Sequence, residues 1–340
     1  MSAWTSHLGH DPIAPLLAAG DPAIAYFVER DLLDREVGSL ETLWELPEVK
    51  KLVRKQQSDG SWKAAASKAN SGWKYQLTET WRQLRFLIDQ YAMNRSHPAA
   101  AKACAFVLAC QSAEGDIRGI LANQYAPYYT GALLGLLCKA GFAGDPRIAK
   151  GMRWLLSVRQ DDGGWVIGSP GMMGYAWRDV CALTSRWTDR PEQAFDRTKP
   201  FSAAGTGMVL RAFAHHPDHR HSPAARQAAA LLKSKMFRED NWSWYQHPDN
   251  WIRFQFPYWW NHLVAALEVC SLIGIPNDDA DIARALRWLV DHQLASGLWR
   301  ESYSKIHKGS DNRRSRQTKL WISLCICRIL KRYWGQAERR

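Results

Sequence analysis

The side chains of this chain that could do chemistry fall into three groups. The first is aromatic: Tyr128 and Tyr129 open one apolar run, Tyr258, Trp259 and Trp260 precede another, and Trp177 with Arg178 stands beside Asp179. Their π faces suit a developing positive charge, at about 0.5 to 2 kcal/mol per ring, and equally suit packing against one another. The second is polar. Tyr258, Asn261 and His262 fall within about one helical turn, with Arg253 nearby, a set that could neutralise a uronate and abstract a proton. The third is acidic: Glu79 could serve as an acid, or could pair with Arg82 and complement a helix N-terminus. His215, His216, His219 and His221 share a polar loop, and Asp278, Asp279 and Asp281 follow Pro276-Asn277 as helix-capping residues do. No Gly-rich phosphate loop, Ser/His/Asp signature or Cys-x-x-Cys pair accompanies them.

Those side chains must be held by a large apolar scaffold. The chain has 340 residues, 46% of them apolar and 23% charged, which excludes disorder, collagen and a small disulfide-stapled domain. Tryptophan is in excess: 18 Trp against 10 Phe and 11 Tyr. No apolar run reaches the roughly 18 to 20 residues that span a membrane. The N-terminal stretch lacks a basic region followed by an apolar core, and four of the seven cysteines (Cys104, Cys138, Cys270, Cys325) sit in apolar helical runs. A reducing, cytoplasmic setting is the expectation. Most of the formal charge of +12 lies in residues 305–340, where eleven Lys/Arg face Asp311 and Glu338. A phosphate-bearing ligand or a peripheral contact with an anionic membrane surface would suit that segment. Nucleic acid is disfavoured, because no recognition motif accompanies the charge.

A repeated unit organises the chain. Helix, Gln, a polar turn with Gly and then an aromatic or aliphatic residue recur, ending at Trp62, Ile117, Trp165 and Trp299, with a degenerate copy ending at Trp242. Gly frees the backbone to leave the helix, the Gln amide can bond turn backbone, and the Trp packs back over the next helix. After each unit comes an apolar helix, and aligning these places Thr80, Thr130, Thr206, Asn261 and Thr318 in one register. About six antiparallel hairpins, an all-α protein, are expected.

The two fullest copies, Lys150-Gly151-x-x-Trp154-Leu155 with Gln160, Gly163 and Trp165, and Arg284-Ala285-x-x-Trp288-Leu289 with Gln293, Gly297 and Trp299, carry a resemblance. The chain resembles the Gln-Trp repeat group of squalene-hopene and oxidosqualene cyclases, whose toroids are related to those of protein prenyltransferase β subunits. The resemblance covers roughly residues 20–335. It implies an α/α toroid with the repeats on outer helices and inner helices lining a central cavity. The implied organisation is an N-terminal extension (1–20), one toroid domain (21–335) with an insertion near 166–200, and a basic tail (336–340).

The chemistry that the resemblance implies is only partly present. Protonating cyclases open an inner helix with an Asp-rich motif, and the counterpart here reads Ser202-Ala203-Ala204-Gly205-Thr206, without an acid. Glu79, preceding Thr80 as the last Asp precedes Thr in that motif, is the nearest substitute. The prenyltransferase zinc set of Asp, Cys and His is matched at Asp179 and Cys181, but Trp259 stands where His would. Zinc or magnesium is therefore an open expectation without a full ligand set, and no metal ligands are assigned. The expected function is the handling of a small hydrophobic or diphosphate-bearing isoprenoid in an aromatic cavity. Glu79, Asp179 and His262 are its catalytic candidates; Tyr128, Tyr129, Trp177, Arg178 and Arg253 are binding candidates, together with Tyr258, Trp259, Trp260 and Asn261. A carbohydrate-active toroid and a non-catalytic lipid- or partner-binding toroid are the alternatives.

Overall fold

A computed structural model describes residues 3–64, 75–120, 125–167, 196–241, 247–306 and 311–335. Among them are twelve α-helices and no strands, so the fold is all-α. We number them α1 (Ile13–Leu17), α2 (Pro22–Phe27), α3 (Pro47–Val53), α4 (Tyr75–Arg85), α5 (Pro98–Ala109) and α6 (Pro127–Leu137). Then follow α7 (Pro146–Ser157), α8 (Ala203–His215), α9 (Pro223–Ser234), α10 (Leu263–Ile273), α11 (Ala280–Asp291) and α12 (Arg313–Trp334). Many starts are written locally: α2, α5, α7 and α9 each place Pro just after a capping Asp, His or Ser, where its missing N–H costs nothing. No helix among the described residues is long and apolar enough to cross a membrane.

Even- and odd-numbered helices have different surroundings, and the residue pattern explains why. In α11 the buried positions are Ile282, Ala285, Leu286 and Leu289, one stripe at helical spacing, so the helix has one dry face and one wet one. Every residue of α6 is buried, and α8 is buried from Ala203 to Ala214. Such helices lie inside, with neighbours all round. They pack in sequence, α4 on α6, α6 on α8, α8 on α10, α10 on α12, and α12 returns to α2. The closest approach is α6 on α8: a Cβ on Gly131 would stand 2.5 Å from the Val209 backbone, and one on Gly135 2.7 Å from that of Arg211.

The repeated unit is a clamp between neighbouring outer helices. Its indole N–H bonds the carbonyl ten residues earlier, at the end of its own helix: Trp62 to Leu52 at 2.9 Å, Trp165 to Leu155 at 2.8 Å, Trp299 to Leu289 at 2.6 Å. In the first two units its Gln amide reaches across to the entrance of the following outer helix, Gln56 to Ala99 O at 2.8 Å and Gln111 to Arg147 O at 2.9 Å, whereas Gln160 donates to Asp196 O at 2.8 Å and Lys199 O at 2.9 Å. Its backbone N–H is received by a hydroxyl on the inner helix: Thr80, Thr130 and Thr206 serve Trp62, Ile117 and Trp165. In the last unit Ser323 serves Trp299 at 3.0 Å, where the alignment expected Thr318. Helix α12 runs 22 residues, so its matching position lies more than one turn further in.

The chain's beginning completes the ring. The helix that follows the last clamp in sequence is the inner helix α12, and Gln293 instead bonds His10, donating to its carbonyl at 2.8 Å and accepting from its N–H at 3.1 Å. Gly297 (φ 79°) sits so close to Asp11 O that a Cβ would approach to 2.1 Å. Trp4 and Leu16 are buried in the same core as the inner helices. Helix α1 thus stands after α11 as α5 stands after α3, and residues 3–20, expected as an extension, supply the sixth outer position.

Candidate functional site

The centre of the ring is filled. Two guanidiniums from inner helices, Arg85 on α4 and Arg211 on α8, meet the segment that leads into α10. Arg85 donates to Pro257 O at 3.0 Å; Arg211 donates to Tyr258 O at 3.1 Å and Trp260 O at 2.7 Å. The Arg85 guanidinium also lies over two adjoining indoles, 4.9 Å from Trp81 and 4.5 Å from Trp259. Burial pushes the Arg85 pKa down to about 9 and that of Arg211 down to about 10, so both stay charged at neutral pH. The space left among these groups, Tyr258 and Glu268 is about 20 Å³, little more than one water.

A single central cavity is therefore replaced by two, one on each side of this plug. The first, about 910 Å³, lies between α4 and the N-terminal turns of α12. Its aromatic wall includes Tyr129, Phe254, Phe256, Trp259 and Trp260; its cations are Arg82, Arg85 and Arg314. Trp81, Tyr129, Trp259 and Trp260 form one cluster, with ring centroids 4.3 Å apart for Trp81 and Trp259 and 6.3 Å for Tyr129 and Trp260. The second cavity, about 960 Å³, opens at the C-terminal ends of the inner helices and is lined mainly by charged groups.

The candidate residues are dispersed by this arrangement. Tyr129, Trp259 and Trp260 line the aromatic cavity, and buried Tyr128 packs on Tyr129 at 4.4 Å. Glu79 pairs with Arg82 at 2.5 Å and with Gln83. Arg253 is exposed and bridges to Ser302 through backbone. The Tyr258 hydroxyl lies toward Glu268 and Cys325, and burial raises its pKa well above the ordinary value. Asn261 is buried and donates to Ala203 O at 3.3 Å. Trp177, Arg178 and Asp179 lie outside the described residues, as does Cys181. Among the described residues no group of three or more His, Cys, Asp or Glu could hold a metal ion; Asp179 and Cys181 of the zinc set lie outside them.

His262 is committed to the backbone. Its Nδ1 accepts from Ala265 N–H at 3.3 Å, capping α10, and its Nε2 faces Gln255 O at 3.1 Å. Burial lowers its pKa from 6.5 to about 3, so it is neutral and has no free nitrogen for proton transfer. The unfolded chain binds the extra proton between those two values, and stability therefore falls as the pH drops through that window, by up to about 1.4 kcal/mol per pH unit from this residue. His262→Asn keeps a capping acceptor and removes the titration. The acid limb of stability against pH, from urea midpoints, should flatten in that variant; an unchanged limb would refute the assignment.

One buried acid escaped the sequence reading. Asp240, from the turn after α9, accepts from Ser202 Oγ at 2.8 Å and from Ala204 N–H at 2.9 Å, at the start of the helix where the Asp-rich motif would stand. Burial raises its pKa despite those bonds. It caps α8 and lines none of the three spaces just described. No local pattern could have found it, since only the fold brings residue 240 to residue 202.

No family model matches the chain, and no curated protein sequence matches it. Among solved structures the chain is similar to a protein from Actinoplanes, with 16% identity, 86% of this chain and 87% of that one covered and a TM-score of 0.43. It is also similar to a variant of type II terpene cyclase MstE from Scytonema in complex with geranylgeranyl dihydroxybenzoate, with 14% identity, 95% and 98% covered and a TM-score of 0.42. A third is the polysaccharide lyase BACCELL_00875, with 12% identity, 86% of each chain covered and a TM-score of 0.43. Likenesses of this size carry no functional argument.

Proposed function

We propose that the chain is an isoprenoid-handling enzyme of terpene-cyclase or prenyltransferase type, taking a prenyl diphosphate in the aromatic cavity. The observation that supports this reading is the pairing, in one space of about 910 Å³, of six aromatic side chains with Arg82, Arg85 and Arg314. The apolar chain lies against Tyr129, Trp259 and Trp260, and the diphosphate faces the guanidiniums, which bind phosphate oxygens bidentately. Charge decides between modes of activation. The indoles of Trp81 and Trp259 already hold a permanent cation, so a carbocation beside them meets repulsion, whereas departing diphosphate is stabilised. Activation by loss of diphosphate fits better than protonation, for which the described residues of the cavity wall offer only Glu301, itself bonded to Ser315 Oγ at 2.5 Å. The exposed Arg313, Arg314 and Arg316 at the start of α12 would face the anionic surface of a membrane from which such a substrate is drawn.

The reading is tested with labelled prenyl diphosphates of graded chain length. Saturable binding, competition by inorganic pyrophosphate and release of pyrophosphate are expected. Arg314→Ala should weaken pyrophosphate competition by about tenfold. Trp260→Ala should weaken the prenyl diphosphate while leaving pyrophosphate alone unchanged. Absence of binding and turnover across the series would remove the proposal. The acidic-sugar alternative would draw on Tyr258, Asn261 and His262, which are buried, and on Arg253, which is exposed.

A further inference from the structure

The second cavity takes no part in that reading. It borders α12 from Arg328 onward, whereas the aromatic cavity borders it up to Thr318, so the two stand about 15 Å apart along one helix. Its charged groups arrive on unusual backbone. Helices α2, α4 and α6 each continue into a π-helical turn, Val28–Leu32, Phe86–Gln90 and Cys138–Phe142, and these turns carry Arg30, Asp31, Asp89 and Lys139 to the wall. Turns of this kind are rare and concentrate at functional sites.

Most of the charge is matched within the wall. Asp31 holds both Arg30 and Arg328 at 2.6 Å, Lys331 reaches Asp34 at 2.6 Å and Lys139 reaches Asp89 at 2.9 Å. Among the described residues two lining groups have no opposite charge within 4.0 Å: Glu268 on α10 and Arg332 on α12. Among the described residues Arg332 makes one side-chain bond, to Ser271 Oγ at 2.6 Å, and a guanidinium has five N–H donors. Burial pushes the Glu268 pKa up, but Lys139, Arg332, the Tyr258 hydroxyl and Arg328 more than reverse this, so the carboxylate stays ionised.

An unmatched anion and an unmatched cation facing one cavity discriminate against ligands of a single sign. A simple anion gains Arg332 and is repelled by Glu268; a simple cation meets the reverse. One molecule that carries both charges satisfies both walls. We propose that this cavity binds a small zwitterion, its carboxylate or phosphate on Arg332 and its ammonium on Glu268. The site is independent of the aromatic cavity and does not rest on a prenyl substrate.

Calorimetric titration of the full chain with glycine, L-serine and phosphoethanolamine, beside the one-signed acetate, inorganic phosphate and ethanolamine, tests it. At least one zwitterion should bind tenfold or more tighter than its one-signed analogues, and the ranking of serine against phosphoethanolamine distinguishes a carboxylate from a phosphate. Glu268→Gln should cost the zwitterion about tenfold and leave the simple anion unweakened. Arg332→Met should weaken zwitterion and anion alike, and it carries the test if the Glu268 variant does not fold. Absence of binding by all three zwitterions, or unchanged affinity in the folded variants, overturns the proposal.

Discussion

Replacing Trp299 with alanine should destabilise the folded chain by about 3 to 5 kcal/mol, the range for truncating a large buried aromatic. The side chain has no exposed surface, so the substitution leaves a cavity the size of an indole. Polar terms add to the loss. The Leu289 carbonyl loses its 2.6 Å donor, and the turn that aims Gln293 at His10 loses its anchor. Since that turn is where the chain's beginning joins its end, the ring is weakened at its seam. Denaturant titration measures the effect, with Trp62→Ala as the comparison inside the continuous chain. A loss below about 1 kcal/mol would mean that the clamp is decoration on an already stable helix pair.

Deleting residues 1–20 should be more damaging still. The deletion removes buried Trp4 and Leu16, whose burial is worth roughly 2 to 3 kcal/mol each. It also strips the partner from both sides of the Gln293 amide and uncovers the parts of α12 and α2 against which residues 3–7 and α1 pack. A loss of about 5 kcal/mol or more is comparable with the whole stability of an ordinary domain. The truncated chain is therefore expected to aggregate or to unfold far below the full chain in a thermal melt. Trp4→Ala gives a milder version that should still fold. A truncated chain that melts within a few degrees of the intact one would show that the first twenty residues are an appendage.

Local pattern made much of the scaffold legible. The clamp was readable because its parts are close in sequence: an indole and the carbonyl it bonds are ten residues apart, and the Gln and Gly that shape the turn are four apart in three of the units. The inner helices α6 and α8 were readable because they are largely apolar all round. The register of α12 was not, because Thr318 and Ser323 are both hydroxyls on an apolar helix and only packing selects which one meets Trp299. The aromatic candidates divided for a similar reason. Tyr129, Trp259 and Trp260 do line a cavity, yet nothing in the sequence said that Arg85 would already occupy the faces of Trp81 and Trp259.

By itself the sequence determined an all-α chain of repeated hairpins and the residues that clamp them, since helix periodicity, capping and turn chemistry act over a few residues. Tertiary structure alone decided the rest. It joined residue 10 to residue 293, brought Asp240 to the start of α8, and filled the centre with two arginines from separate helices. It also turned His262 from a free base into a helix cap. Each outcome depends on contacts between groups far apart in the chain, and burial, which sets the charge and hydrogen bonding of those groups, exists only once the ring has closed.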